Sequence, residues 1–275
     1  MIWHTYGRDA GRTLICLHGF MGHSSDWAVF ASAFQSMRPG WQIATPILPG
    51  HAGSEAVVDE QCVVADVLAW MDTNDLKSAA IAGYSLGGRL AMQTILENPE
   101  RFPVFIGMST TAGIDDANER AGRLLDDQER AKRLKSCVTQ ESFREFLDDW
   151  WALPVFHSRS SNSIQRDRFL STRVKNNPSS LADAMLAWSP GILPSLWPRL
   201  HEYPGRALIL SGEDDEKYCA ISDRLVAVFP DASAQRILSA GHRLLEERPT
   251  EVAMVLAEFL GKEQSQATKD RESNQ

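Results

Sequence analysis

The chain has 275 residues and a net charge of −8, with 43% hydrophobic and 23% charged residues. These values are ordinary for a soluble globular protein, and they exclude a disordered or collagen-like chain. The acidic balance argues against a general nucleic-acid surface or an anionic membrane surface as the partner. Of the 28 basic residues, 21 are arginine and 7 are lysine, which is the one unusual feature of the composition.

The cysteines and the N-terminal sequence indicate a cellular compartment. Cys16, Cys62, Cys137 and Cys219 are far apart and form no C-x-x-C pair, so we expect reduced thiols and no metal site. The chain does not open with a basic segment followed by an apolar one, which predicts that it has no signal peptide. No apolar run approaches the ~18 residues that a membrane span needs. Together these features predict a cytoplasmic protein.

Short apolar runs alternate with amphipathic stretches over the first 110 residues, a pattern typical of βαβ units and a parallel sheet. The predicted strands are 14–17, 42–45, 79–82 and 104–108. The first predicted helix begins at Ser24 or Ser25, and two further helices are predicted at 59–71 and 90–97. The residues of the first helix that we expect to face the sheet are Trp27, Phe30, Phe34 and Met37.

The alternation stops after residue 108, and residues 113–200 show helical patterns that are rich in charge and tryptophan. It resumes with predicted strands at 207–210 and 234–238 and predicted helices at 223–229 and 251–260. We therefore predict an α/β core in two parts, residues 1–112 and 205–260, interrupted by a helical cap insertion at 113–204. The remaining residues, 261–275, are expected to form a flexible polar tail, because the last fourteen contain no large apolar side chain.

The segment Gly83-Tyr84-Ser85-Leu86-Gly87 matches G-x-S-x-G between a predicted strand and a predicted helix. A sharp turn from strand to helix strains the serine backbone and projects its Oγ from the end of the strand. The N–H groups at the start of the helix would attract an anion near that oxygen. An ordinary glycine-rich turn would give the same five residues, so the functional interpretation needs an acid and a histidine further along the chain.

Both are present, each just after a predicted strand. Asp214 and Asp215 follow one strand and His242 follows the next, at the sheet edge where open α/β sheets bind ligands. The residues alone leave open which carboxylate orients the His242 imidazole. The backbone N–H groups of Phe20 and Leu86 are the natural pair for an oxyanion hole.

The other histidines carry weaker signals. We favour a structural role for His18, and the role of His51 stays open. The histidines expected at the surface or in ordinary packing are His4, His23, His157 and His201.

The loop 17–20, the stretch 48–51, the G-x-S-x-G turn and the late Asp and His together resemble the α/β-hydrolase superfamily over nearly the whole chain to residue 260. The extended turn Gly-Tyr-Ser-Leu-Gly-Gly-Arg, which ends at Arg89, resembles the 2-succinyl-6-hydroxy-2,4-cyclohexadiene-1-carboxylate synthases of menaquinone biosynthesis. Further matches to that family are Glu119-Arg120 with Arg123, Trp150 with Pro154-Val155-Phe156, Arg173 with Asn176-Asn177-Pro178, and Gly212-Glu213-x-Asp215-x-Lys217.

The resemblance implies a lyase with an α/β-hydrolase fold, in which a mostly parallel sheet is flanked by helices. It favours Asp215 over Asp214 and implies that His242, oriented by Asp215, activates Ser85 to remove a proton from an enolpyruvyl-bearing precursor. The oxyanion hole would hold the resulting enolate until pyruvate leaves, without a metal or organic cofactor. A hydrolase of an ester or carbon-carbon bond with the same three residues, and a ligand-binding protein without turnover, are the alternatives.

The precursor carries several carboxylates, and guanidinium groups bind carboxylates in two-pronged hydrogen bonds. The resemblance therefore assigns substrate binding to Arg89, Arg123 and Arg173, with Tyr84 and Trp150 as further pocket residues or, alternatively, packing residues. We expect a monomer that binds a small polycarboxylate and has neither nucleic acid nor a membrane as partner. The arginines expected on solvated helix faces are Arg120, Arg130, Arg133, Arg144, Arg166 and Arg168.

Overall fold

The computed structural model of the chain describes residues 1–8, 11–54, 60–159 and 162–272. The strands are β1 (Ile2–Tyr6), β2 (Thr13–Leu17), β3 (Gln42–Ile47), β4 (Ala80–Tyr84), β5 (Val104–Met108), β6 (Arg206–Gly212) and β7 (Ala232–Ile237). They form one seven-stranded sheet in the order β1-β3-β2-β4-β5-β6-β7. Strand β1 pairs antiparallel with β3, and the other pairings are parallel. The mostly parallel sheet predicted from the sequence is confirmed.

Helices cover both faces of this sheet and extend over one edge. The helices are α1 (Ala28–Met37), α2 (Glu60–Thr73), α3 (Leu86–Glu97), α4 (Ala117–Lys135), α5 (Gln140–Trp151), α6 (Ser163–Arg173), α7 (Pro178–Ala187), α8 (Glu216–Val228), α9 (Leu244–Glu247) and α10 (Pro249–Glu272). Short 3₁₀ helices occur at Ser24–Trp27, Pro99–Arg101, Pro154–Phe156 and Trp197–Glu202. No helix in the described parts of the chain is both long and apolar enough to cross a membrane.

The apolar pattern of each helix explains which face of the sheet it covers. Helices α1 and α10 pack on one face, and α2, α3 and α8 pack on the other. With both faces covered, every residue of β2 and β5 is buried, as expected for strands of a parallel sheet. Helices α4 to α7 come between β5 and β6 in the chain. They share a separate apolar cluster, which includes Phe146, Leu147, Leu170 and Leu181. We call residues 113–204 the cap below.

The structure differs from the sequence-based elements at several points, among them helix α8, which begins at Glu216 rather than near Asp223. Strand β1 was not predicted, because it is a short edge strand whose residues are exposed or half-buried and its pattern is weak. Met37 is 38% exposed rather than packed on the sheet, whereas Trp27, Phe30 and Phe34 are buried. Helix α10 continues twelve residues beyond its predicted end, because the residues after Gly261 are mostly good helix formers and include no proline. The predicted helix start at Asp59 and the tail residues 273–275 lie outside the described residues.

Candidate active site

Ser85 lies at the turn between β4 and α3 in a strained backbone conformation, with φ of 52° and ψ of −113°. Residues other than glycine rarely adopt a positive φ, and such conformations persist only where neighbours hold them. Two hydrogen bonds do so here. The Ser85 N–H donates to the Met108 carbonyl at 2.8 Å, and the Thr110 hydroxyl donates to the Ser85 carbonyl at 2.8 Å. The end of β5 and the residues after it therefore fix the serine.

Close backbone contacts explain the two outer glycines of the motif. A Cβ atom on Gly83 would lie 2.2 Å from the Gly87 carbonyl oxygen, and one on Gly87 would lie 2.3 Å from the Leu17 carbonyl oxygen. A larger residue at position 83 would push the start of α3 away from β4, and one at position 87 would push it away from the end of β2. The glycines therefore allow the serine to lie directly beside the loop that follows β2.

His242 connects Ser85 to Asp215. Its Nε2 atom lies 3.2 Å from the Ser85 Oγ, and its Nδ1 atom lies 2.9 Å from Asp215 Oδ2. The second Asp215 oxygen accepts from the Tyr218 N–H at 3.2 Å, at the start of α8. Because an ionised carboxylate can only accept, the neutral His242 ring carries its proton on Nδ1 and turns the Nε2 lone pair towards the serine. The arrangement can remove a proton from Ser85.

Asp214 has a different partner. It accepts hydrogen bonds from the Arg159 Nε at 2.7 Å and from the Arg159 backbone N–H at 2.9 Å. The hydrogen bond from the Arg159 side chain lowers the pKa of Asp214 below its ordinary value. Of the two carboxylates that the sequence left open, Asp215 is the one that contacts His242.

Aromatic rings surround the histidine. The ring centroid of Tyr218 lies 4.5 Å from that of His242, and the rings of Tyr84 and Phe156 each lie 5.6 Å from it. Burial, with a contribution from the charge of Asp215, raises the pKa of Tyr218 to about 12. Tyr218 therefore remains neutral near pH 7 and adds no charge beside the imidazole.

A cavity of about 700 Å³, including its open mouth, adjoins Ser85. Its apolar wall includes Phe20, Trp150, Met185 and Trp188, and its polar wall includes Arg89, Arg123, Asp127, Ser189 and Tyr218. Leu86 also lines the cavity and is the first residue of α3, where an N–H has no acceptor within the helix. The cavity therefore offers an apolar surface and charged groups within one space beside the serine.

Three of the residues expected to bind substrate lie at this cavity. Arg89 is buried on α3, and its Nη2 donates to the Pro194 carbonyl at 2.6 Å. Arg123 projects from α4 and is 41% exposed. The Trp150 ring lies 5.4 Å from the ring of Phe20, so these two aromatic side chains form a continuous part of the wall. The structure brings all three to the space beside Ser85.

Arg173 and Tyr84 are not among the residues that line this cavity, and their expected roles in substrate binding stay predictions. The Arg173 guanidinium lies between two carboxylates of the core, 2.7 Å and 2.9 Å from the Asp26 oxygens and 2.9 Å from Glu246 Oε1. The Tyr84 ring packs beside the loop at Gly19, where an added Cβ would lie 2.8 Å from the ring. The contacts of Tyr84 fit the packing role that the sequence left open for it, and those of Arg173 join the cap to the core.

Sequence reasoning missed several residues of the cavity wall, and two of them had a usable signal. Asp127 lies four residues after Arg123, a spacing that places both on one face of a helix. Tyr218 lies three residues after Asp215, in the first turn of α8. Met185, Trp188 and Ser189 come from α7 and the segment after it, whose position over the core no local pattern indicated.

His18 and His51 are buried and neutral. His18 Nε2 accepts from the Leu48 N–H at 3.0 Å and its Nδ1 donates to the Gly19 carbonyl at 2.8 Å, while burial lowers its pKa to about 4. His51 donates from Nδ1 to the carbonyl two residues earlier and stacks on Trp188, and burial lowers its pKa to about 3. His18 thus ties the loop after β2 to the end of β3. Within the described ranges, no three His, Cys, Asp or Glu side chains are grouped as metal ligands would be.

Comparisons with known proteins agree with this geometry. Residues 14–255 match the alpha/beta hydrolase family. The chain is 33% identical to the 2-succinyl-6-hydroxy-2,4-cyclohexadiene-1-carboxylate synthase of Serratia proteamaculans, over 74% of this chain and 78% of the relative. It is 31% identical to the enzyme of that name from Escherichia fergusonii, over 94% and 99%.

A solved structure agrees with the sequence relatives. The structure of MenH from Staphylococcus aureus superimposes with a TM-score of 0.88 at 27% identity, covering 96% of this chain and 99% of that one. The α/β-hydrolase fold that the sequence predicted is confirmed. The chain therefore belongs to the α/β hydrolase family, within which it is similar over most of its length to 2-succinyl-6-hydroxy-2,4-cyclohexadiene-1-carboxylate synthases.

Proposed function

We propose that this protein is a lyase of menaquinone biosynthesis. It eliminates pyruvate from 2-succinyl-5-enolpyruvyl-6-hydroxy-3-cyclohexene-1-carboxylate and forms 2-succinyl-6-hydroxy-2,4-cyclohexadiene-1-carboxylate. The observation that carries the proposal is the contact of Ser85 with His242 and Asp215 beside a cavity that also contains Arg89 and Arg123. The named relatives, which match most of the chain, support it.

The proposed reaction begins with loss of the ring proton beside the succinyl ketone. Ser85 Oγ takes this proton as His242 Nε2 takes the serine proton, and Asp215 stabilises the imidazolium that forms. The ring double bond then shifts, the carbon-oxygen bond to the enolpyruvyl group breaks, and the proton returns to the departing enolpyruvate to give pyruvate. No water enters the products, and no external oxidant or reductant is needed.

The negative charge that develops on the ketone oxygen needs donors in place before the proton leaves. We assign this role to the backbone N–H groups of Phe20 and Leu86, which belong to two residues of the cavity wall next to Ser85. Fixed donors of this kind stabilise a developing oxyanion more than water does, because they need no reorganisation during the reaction.

Two features of the cavity wall fit a cyclic polycarboxylate. Arg89 and Arg123 supply two cationic groups, and a charge-assisted hydrogen bond from each contributes about 1.5–3 kcal/mol to binding. Phe20, Trp150 and Trp188 supply an apolar surface for the six-membered ring. A substrate with a ring and several carboxylates uses both parts of the wall.

The proposal extends to the state of the protein in the cell. The cap, residues 113–204, covers the active site as one helical unit, and the tail after residue 260 takes no part in catalysis. The protein acts as a cytoplasmic monomer and has no nucleic-acid partner, in keeping with its net charge of −8. Size-exclusion chromatography with light scattering tests the monomer, because a dimer would double the mass.

Mass spectrometry of the products from the enolpyruvyl precursor tests the reaction. The parent protein should release one pyruvate per diene formed, Ser85→Ala should release almost none, and Arg89→Ala should need a higher substrate concentration. Absence of pyruvate from the parent, or parent-like release by Ser85→Ala, would refute the proposal. A burst of product from an activated ester, with an acyl group trapped on Ser85, would favour hydrolysis instead.

A further inference from the structure

Asp127 is a buried carboxylate in the wall of the cavity, with only 1% of its surface exposed. Its Oδ2 atom accepts from the Arg123 Nε at 2.8 Å and from the Ser189 hydroxyl at 2.8 Å. Its Oδ1 atom lies 3.5 Å from the Arg130 Nη1. A negative charge therefore lies in the same wall as the arginines assigned to bind an anionic substrate.

Helix stability does not account for this acid. Asp127 follows Arg123 by four residues on α4. An ion pair at this spacing stabilises a helix less when the acid follows the base, and even the reverse order contributes at most about 0.5 kcal/mol. Taking a carboxylate out of water costs several kcal/mol before its hydrogen bonds compensate. The Arg123–Asp127 contact is thus a poor way to stabilise the helix.

The geometry of the contact leaves part of the arginine available. Asp127 engages the Nε side of the guanidinium, so the Nη1 and Nη2 groups form the opposite end of the fork, which matches a carboxylate in geometry. Ser189 fixes the acid in turn, because its hydroxyl donates to Asp127 and accepts from the Gly191 N–H at 3.0 Å.

A second observation places Arg123 near the reacting groups. Arg123 lines the same cavity as Ser85 and Tyr218. Tyr218 packs against His242 and lines the same cavity. Arg123 is therefore close enough to the reacting groups to hold a substrate beside them.

We infer that Asp127 is a positioning residue that holds Arg123 with its Nη groups towards the cavity, where they bind one carboxylate of the substrate. The inference rests on the proposed function in that the substrate carries carboxylates. The charge of Asp127 also repels a carboxylate from the Nε side of Arg123, so the acid limits where the substrate carboxylate lies.

Ligand binding to Asp127→Asn tests the inference without turnover. The probe is 2-succinylbenzoate, a stable dicarboxylate that carries the carboxyl and succinyl groups of the proposed product on an aromatic six-membered ring. Its uncharged dimethyl ester is the comparison ligand. Fluorescence of Trp150 and Trp188, which line the cavity, reports binding. We expect about tenfold weaker binding of the dicarboxylate, roughly the loss of one well-oriented charged contact, and unchanged binding of the diester.

The kinetics of Asp127→Asn should also show a loss of binding alone. KM for the precursor should rise about tenfold while kcat stays within about twofold of the parent, because Arg123 binds a substrate carboxylate that does not react. Asp148→Asn is the matched control, since Asp148 pairs with Arg166 in the cap and neither residue lines the cavity. It should bind both ligands as the parent does. If Asp127→Asn does not fold, Ser189→Ala removes one donor to Asp127 and should weaken only the dicarboxylate.

Equal dicarboxylate binding by the parent and Asp127→Asn, or equal weakening of both ligands, would overturn the inference. Pyruvate release by the parent is measured separately and reports on the proposed function. A parent that releases no pyruvate but binds the dicarboxylate through Asp127 would refute the proposed function alone. If the parent releases pyruvate but Asp127→Asn binds the dicarboxylate as well as the parent does, the inference alone is refuted.

Discussion

Replacing Arg173 with methionine removes the cation that joins α6 of the cap to two carboxylates of the core. Arg173 is 5% exposed and donates three hydrogen bonds to carboxylates, two to Asp26 and one to Glu246. Methionine retains an apolar stem that can pack near Phe169, whose ring lies 5.5 Å from the guanidinium carbon. The variant therefore leaves two neighbouring carboxylates without their shared partner.

The expected loss of stability follows from the exposure of those carboxylates. Removing one member of a buried ion pair costs about 3–5 kcal/mol. The Asp26 and Glu246 side chains are 17% and 27% exposed, so water can hydrate them in part, and we expect the lower end, about 3 kcal/mol. An unfolding entropy of about 2.1 cal/mol/K per residue gives about 0.6 kcal/mol/K for this chain, and hence a melting temperature about 5 °C lower.

Urea unfolding at several pH values provides the assay. Burial acts to raise the pKa of both carboxyls, and the charge of Arg173 opposes that rise, bringing the pKa of Asp26 below its ordinary value while that of Glu246 stays raised. Without Arg173 both pKa values rise, so the folded variant takes up protons more readily than the folded parent as the pH falls. The stability difference should therefore be largest near pH 7 and smaller near pH 5.

Arg236→Met provides the control, because Arg236 forms a similar pair with Asp223 on the exposed surface. It should cost less than about 1 kcal/mol. A loss below about 1 kcal/mol for Arg173→Met near pH 7 would refute the reasoning, given the cost expected for a buried pair. A loss that is the same at both pH values would refute the assigned linkage.

Three further outcomes follow from the site and its surroundings. In urea unfolding, Ser85→Gly should have a free energy of unfolding about 1–2 kcal/mol higher than that of Ser85→Ala, because only glycine adopts this backbone without strain. Equal stability of the two variants would contradict the assigned strain. In a pyruvate-release assay, Asp215→Asn should lower kcat by about 10⁴-fold, because the imidazole loses its orienting acceptor. Asp214→Asn should turn over at nearly the parent rate. The reverse result would exchange the roles of the two carboxylates. The folded-state pKa of His51 is lowered to about 3 by burial, so the protein loses stability as the pH falls below the unfolded-state value of about 6.5. His51→Gln should reduce the slope of unfolding free energy against pH in that range by up to about 1.4 kcal/mol per pH unit, and an unchanged slope would contradict the assigned shift.

The sequence was most informative where local chemistry determines local geometry. The strand-to-helix turn needs small residues around Ser85, and the ends of parallel strands meet at one sheet edge, so the contact of Ser85, Asp215 and His242 could be anticipated. The choice of Asp215 over Asp214 needed the resemblance, because both side chains follow the same strand and only Asp214 reaches Arg159.

Long side chains at helix ends were the least predictable. Arg173 lies in the last turn of α6, and its motif neighbours do not reveal that Asp26, almost 150 residues earlier, is within reach. The edge strand β1 escaped prediction because its five residues are all exposed or half-buried and show no alternation between a buried and an exposed face. Cavity residues such as Trp188 depend on how the cap packs on the core, and periodicity within one helix does not encode that arrangement.

The strained backbone of Ser85 has an evolutionary consequence. Stability alone would favour glycine at this position, since it relieves a conformation that costs about 1–3 kcal/mol. The reaction supplies the reason for a serine at this position, because it needs the hydroxyl group. In a lineage that obtains its quinone elsewhere, drift at position 85 would tend towards a better-folded but inactive protein, so loss of activity need not be accompanied by loss of the fold.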